Sequence, residues 1–302
     1  MRAIKNNNTG KTGAPAAMMF LIVLFCTARG LYGGGNDLYF LLEKARNPAV
    51  ETVPRYRIFL QGEALHCTGE TEAAKSNNRA AALMAKGDFT GAARELEYGI
   101  VRAPLFLPFR YNLGVCYIFL RKLDAALLHL TKARQLVPEY SKTYLQIGYV
   151  YDQWGKDQEA QDNFREAIRK NPKELKAFIL VGNLYFKRNQ VTMAEKYYHQ
   201  ALKIDPRFPD GLLGKAKVHF HREEFFKALI QIKSIDTSAD YDKSLHYFYA
   251  ESAFKLKDYG TAFEQYQKLL IFKKDRFFLE NSESLIRHKI DLSRRFIDSM
   301  NY

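Results

Sequence analysis

Seven histidines, three cysteines and thirty-three acidic residues are the side chains of this 302-residue sequence suited to holding a metal or moving a proton. His219 and His221 stand closest to a metal pair, but residues two apart on a helix point about 200° from one another and do not chelate from one face. The sequence contains no Gly-rich phosphate loop between a strand and a helix, no nucleophile elbow and no His-Glu-x-x-His. Its carboxylates are scattered at ordinary helical spacing, with no pair set apart as acid and base. Cys67 and Cys116 have neither metal nor redox spacing; they read as buried free thiols, with a disulfide as the alternative in an exported chain. The reading is of a non-enzymatic chain without cofactor or metal, whose chemistry is non-covalent binding.

The elements that would present a binding surface are set by a thirty-four-residue period. Leu113, Gly114, Tyr117, Ala126, Leu130, Ala133 and Pro138 are matched at that interval by Ile147, Gly148, Tyr151, Ala160, Phe164, Ala167 and Pro172. Val181, Gly182, Tyr185, Ala194, Tyr198, Ala201 and Pro206 repeat the set again. Gly and Ala at fixed places let two helix backbones approach, while a large residue fills the space beside them. Each Pro ends a helix, because its ring clashes with the carbonyl four residues back.

These residues at this period resemble the tetratricopeptide repeat, a helix, a turn and an antiparallel helix per unit. The resemblance implies an all-α fold, an α-α superhelix of about six helix-turn-helix repeats with helical caps at both ends. The units fall at 73–106, 107–140, 141–174 and 175–208, with weaker ones at 209–242 and 243–276. Residues 31–72 then read as a linker and an N-terminal helical cap, with helices at Leu38–Arg46 and from Pro54 to about Thr68, and 277–302 as a C-terminal capping helix.

In the family the first helices of successive units line a concave groove. Carried over by position, that groove takes Tyr111, Phe119, Lys142, Tyr149, Asn183, Phe186, Lys187, Lys217, Phe220 and Tyr247. Aromatics supply contact area at low entropy cost and lysines meet carboxylates, so the expected partner is a protein or peptide, acidic in character. A small hydrophobic or acidic ligand held for a transport system is the alternative. The family's clamp for a chaperone's terminal carboxylate is rejected: Asn112 and Lys142 match it, but Asn77, Ala81 and Gln146 replace the residues it needs.

Residues 1–30 carry Arg2, Lys5, Lys11 and Arg29 without an acid around an apolar run from Ala16 to Ala28. That is the layout of a signal peptide, and the run is shorter than the about 20 residues of a membrane span. Retained, it would be a signal anchor; Cys26 offers lipidation as a third route to a membrane, although Phe25 is larger than the small residue such a site prefers. Gly33 to Gly35 form a link to the rest of the chain. Formal net charge is +13; without the leader 42 Lys+Arg face 33 Asp+Glu, a net of +9. The balance favours acidic partners, and export disfavours nucleic acid. The mature chain is expected to start between Thr27 and Gly33. N-terminal sequencing of native protein checks this, and an intact Met1 or Arg2 would leave the anchor reading in its place.

Overall fold

The computed structural model describes residues 38–40, 56–235, 243–270 and 280–300. The leader, Cys26 and the Gly33–Gly35 link lie outside them. Twelve of the described helices form six antiparallel pairs: α1 (Glu72–Ala85) with α2 (Phe89–Arg102), α3 (Leu107–Phe119) with α4 (Leu123–Leu136), and α5 (Ser141–Gln153) with α6 (Asp157–Lys170). They continue as α7 (Leu175–Lys187) with α8 (Val191–Ile204), α9 (Pro209–His221) with α10 (Phe225–Lys233), and α11 (Lys243–Lys255) with α12 (Tyr259–Leu269). A long helix, α13 (Glu280–Met300), follows. The fold class is all-α, a tandem helix-turn-helix array of the α-α superhelix kind.

Each pair closes in the same way. A Cβ built on Gly148 would lie 2.4 Å from the Phe164 ring, one on Gly114 2.5 Å from Leu130, and one on Gly182 2.6 Å from Tyr198. Thus in these three pairs the large residue of the second helix occupies the space that the Gly leaves; Ala80, Ala216 and Ala250 stand at the matching place of the other three, all fully buried. Ala92, Ala126, Ala160, Ala194, Ala228 and Ala262 recur at the matching place of every second helix, and all are fully buried.

The turn inside each pair is equally regular. Gly87, Arg121, Gly155, Asn189, Glu223 and Lys257 all have positive φ, between 58° and 79°. They stand thirty-four residues apart. The next residue donates back to the carbonyl five residues earlier, as Lys122 N does to Tyr117 O (2.9 Å) and Gln190 N to Tyr185 O (2.9 Å). This is the left-handed helix ending that satisfies otherwise orphaned carbonyls. Asp88 and Asp258 then cap the second helices they precede, accepting from Gly91 N (2.8 Å) and Thr261 N (3.1 Å).

The expectation of an N-terminal helical cap is corrected. The segment read as two helices contains β1 (Leu38–Phe40), β2 (Tyr56–Gln61) and β3 (Ala64–Cys67), an antiparallel sheet in the order β1-β2-β3. Leu60 pairs with Leu65 and Ile58 with Cys67 across a two-residue turn, where Gly62 carries φ 59°. Ile58, Leu65 and Cys67 are buried together on one face, and Phe59 stacks on His66 on the other (5.4 Å). The aromatic and branched residues of this segment pack as strand because a helical surface lies beside them to bury one face.

At the other end α13 packs on α12, placing Ile286 and Ile290 against Ala250, Ala253, Ala262, Tyr266 and Leu269. The buried Glu251 carboxylate accepts from Tyr266 Oη (2.6 Å) and from Lys289 Nζ (3.3 Å), and Lys289 also lies over the Phe254 ring (4.4 Å). Burial and the adjacent Glu251 carboxylate push the Tyr266 phenol well above the usual range.

If the Gly contact sets the spacing of a pair, Gly148→Leu overpacks it and costs about 1–3 kcal/mol. Thermal denaturation followed by circular dichroism should show a lower Tm; an unchanged Tm would mean that the backbones are not held close there.

Candidate functional site

The chain forms two compact units, Met1–Gln146 and Ile147–Tyr302, and each carries part of the expected surface. In the first unit the surface is already covered. β3 lies against α1 and α3, the first helices of their pairs. In an antiparallel ladder alternate residues turn their N–H and C=O away from the partner strand, and here Leu65 and Cys67 do so.

Three asparagines meet them. Asn112 Oδ1 accepts from Leu65 N (2.7 Å) while its Nδ2 donates to Leu65 O (2.8 Å) and to Asn77 Oδ1 (2.9 Å). Asn77 Nδ2 donates to Leu65 O (2.7 Å). Asn78 treats Cys67 in the same two-handed way, accepting from its N (2.9 Å) and donating to its O (2.7 Å). The amides therefore replace the missing neighbour of an edge strand. Asn77 and Asn112 are wholly buried, so each bond lost would strand a buried polar group at a cost of about 1–3 kcal/mol.

This arrangement corrects two of the expected groove residues. Tyr111 is 0% exposed, edge-on to Tyr140 (5.9 Å), with its hydroxyl accepting from Gln146 Nε2 (3.3 Å). It is core, packed against Tyr140 and Gln146. Lys142 is buried as well, at 8% exposure. Phe119 stays half exposed and stacks on Phe89 (4.1 Å). Cys67 and Cys116 are free and buried, and desolvation pushes both thiols up to about 12, which removes the thiolate as a nucleophile at neutral pH.

In the second unit the remaining expected residues gather on successive first helices. From α7, Phe186 meets His221 of α9 edge-on (5.9 Å). Phe220 of α9 meets Phe248 of α11 (5.2 Å), and Tyr247 lies against Phe248 (5.3 Å). Lys217 Nζ sits over the Phe248 ring (5.8 Å) and Lys255 Nζ over Phe225 (5.9 Å). Tyr247 is 41% exposed, whereas Tyr149, Asn183, Phe186, Lys217 and Phe220 are half-buried.

Asn183 Oδ1 accepts from Tyr198 Oη (2.9 Å), which fixes the orientation of its amide. The Tyr149 ring meets Phe164 edge-on (5.9 Å) and so supports the pair contact of Gly148. Lys187 Nζ pairs with Asp157 Oδ1 (2.7 Å) with most of its side chain in water. Such a pair is worth about 0–1 kcal/mol and exchanges readily for another carboxylate. Burial raises the half-buried Asp152 carboxyl from its usual range, opposed by the charge of Lys187. The outcome is a set of partly exposed rings with lysines beside them. Among the described residues no group of His, Cys, Asp or Glu is placed to hold a metal. Two cavities, of about 400 and 290 Å³, are lined chiefly by charged and polar residues such as Glu195, Lys196 and Lys215, and Arg94, Glu97 and Lys122. Neither includes an expected groove residue.

Sequence reasoning missed the amide row. Asn78, Asn112 and Gln146 stand thirty-four residues apart, so the repeat itself, read for polar residues as well as packing ones, could have found it.

The tetratricopeptide repeat family matches the chain at residues 77–141, 141–174 and 175–208. The chain is 22% identical over 162 residues to the TPR repeat-containing protein YpiA of Bacillus subtilis, covering 53% of this chain and 38% of that protein. It spans less than two fifths of the length of each curated relative it matches. Among solved structures it is similar to the APC/C hetero-tetramer Cut9-Hcn1 (TM-score 0.61, 13% identity, 72% of this chain and 43% of that one). It is also similar to PilW, a type IV pilus biogenesis factor (TM-score 0.57, 16% identity, 72% of this chain and 100% of that one). At these identities the structural likeness is one of fold. The matches cover the helix pairs that carry the Gly, Ala and Pro period, and the chain is a member of the tetratricopeptide repeat family.

Proposed function

We propose that this protein is a non-enzymatic scaffold that docks a partner protein on the first-helix face of its second unit, taking an extended, acidic segment. The family fold is typical of protein–protein interaction. The observation that carries the finer reading is the contrast between the two units. The first-helix face of the first unit is filled by β3, whereas that of the second keeps Phe186, Phe220 and Tyr247 partly in water beside Lys187, Lys217 and Lys255. Rings of this kind act as anchors, and truncating a central one often costs about 2 kcal/mol or more of binding energy. The lysines supply the charge that selects carboxylates and speeds encounter.

We read the protein as exported, on the charge and apolar layout of residues 1–30. Membrane anchoring through that segment, or through Cys26, is the variant of this reading. Among the described residues no helix is long and apolar enough to cross a membrane.

Peptide display against the intact chain tests the docking surface. The selected peptides should carry Asp or Glu together with apolar residues. Phe186→Ala combined with Lys187→Glu should weaken their binding at least tenfold, with helicity and Tm nearly unchanged. Full binding by the double variant on an intact fold would remove this face from the account, and a lost fold would make Phe186 core.

A further inference from the structure

The amide row of the first unit has a regularity beyond that of a fixed cap. Asn78, Asn112 and Gln146 occupy the same position of three consecutive repeats, and they address Cys67 and Leu65 of β3 and Glu63 of the turn before it, residues two apart along the chain. Gln146 Nε2 donates to the Glu63 carboxylate (2.9 Å), whereas Asn78 and Asn112 bind the strand through its main-chain N–H and C=O. Successive repeats therefore meet successive alternate residues, Asn77 of the first repeat adding a second bond to Leu65 O (2.7 Å), with the chain running against the order of the repeats. Main-chain recognition carries no preference for the sequence read. Preference enters through the neighbouring side chains, here Leu65 and Cys67, both buried, and the Glu63 carboxylate.

The strand that fills this row is joined to α1 through Thr68, Gly69 and Glu70, all exposed, and Gly69 has φ 140°, a conformation that favours glycine. The link thus has the freedom to let the hairpin leave without unwinding α1, whose cap is made by Thr71 Oγ1 accepting from Ala74 N (3.2 Å).

We propose that the row Asn78, Asn112 and Gln146 is a docking groove for extended peptide chain that the protein fills with its own β3. A partner's strand with an acidic residue, then a large and a small apolar residue at two-residue steps, takes the groove in exchange for the hairpin. The partner-docking surface of the first unit is thereby present but self-occupied. The inference is independent of the second unit's face, since none of its residues belongs to that face.

The test uses the intact chain and a fluorescein-labelled peptide with the sequence of Gln61–Thr68, carrying Cys67→Ser. Leu65→Asp places a charge in the buried site and should expel the hairpin, so this variant, with helicity retained, should bind the peptide at least tenfold more tightly than the unmodified chain. Adding Asn112→Ala should cancel that gain. A helical Leu65→Asp protein that binds no more tightly, or a gain that survives Asn112→Ala, overturns the proposal.

If Leu65→Asp does not fold, hydrogen exchange on the unmodified protein decides. The Leu65 and Cys67 amides should exchange at least tenfold faster than those of Val115 and Cys116 in α3, because the hairpin opens while the array stays folded. Equal rates would mean that the strand leaves only when the repeats unfold, which also overturns the proposal.

Discussion

The structure depends on one contact, a residue with little or no side chain facing a large one across each helix pair. Gly114 with Leu130, Gly148 with Phe164 and Gly182 with Tyr198 leave no room for a Cβ. Interiors at this density do not absorb an added group without displacing something. The contact therefore fixes how near the two helices come and which of their faces meet. Outward-facing positions follow from it, since a helix whose inner stripe is set has no rotational freedom left. The left-handed turn residue at the same place in all six pairs holds the second half of this geometry. Arg121, Glu223 and Lys257 adopt it without being glycine, so the pairing imposes a backbone that those side chains do not favour.

Given that frame, single positions acquire their meaning from what lies over them. The sixth residue of the repeat is Asn78, Asn112 and Gln146 in the first three units, and Leu180, Gly214 and Phe248 in the next three. The polar half meets a strand whose outward N–H and C=O need partners. The apolar half includes Phe248, which gathers Phe220, Tyr247 and the Lys217 charge. The residue type thus changes at a constant position of the repeat, from amides bonded to the hairpin to apolar residues that include an aromatic cluster.

The helix pairs were legible in the sequence because their determinants are local and periodic: Gly, Ala, ring and Pro at fixed intervals. The hairpin was not, because β3 is held by hydrogen bonds with Asn77, Asn78 and Asn112, up to forty-seven residues away, and β2 pairs with β3. No windowed pattern contains them. The aromatic and branched residues of Tyr56–Gln61 and the Gly62–Glu63 turn were the local signs, outweighed by the expectation that a helical array is capped by helices. Tyr111 and Lys142 were also misplaced. Family positions place them on an open face, but both are buried, and β3 covers the helices Glu72–Ala85 and Leu107–Phe119 of that unit. For the second unit the carried-over positions identify side chains that are partly exposed and mutually in contact, such as Phe220 and Tyr247 around Phe248. Their partner chemistry is a reading of rings and lysines.

The central claim is that partners dock on the first-helix face of the second unit, and site-specific photocrosslinking tests it most directly. A photoreactive phenylalanine analogue is placed in the intact chain at Phe186, on a first helix, or at Phe226, a 65% exposed ring on the second helix α10. With a peptide selected against the unmodified protein, the account predicts a crosslink from position 186 and none from position 226. A crosslink from 226 with none from 186 would contradict it and move recognition to the second helices.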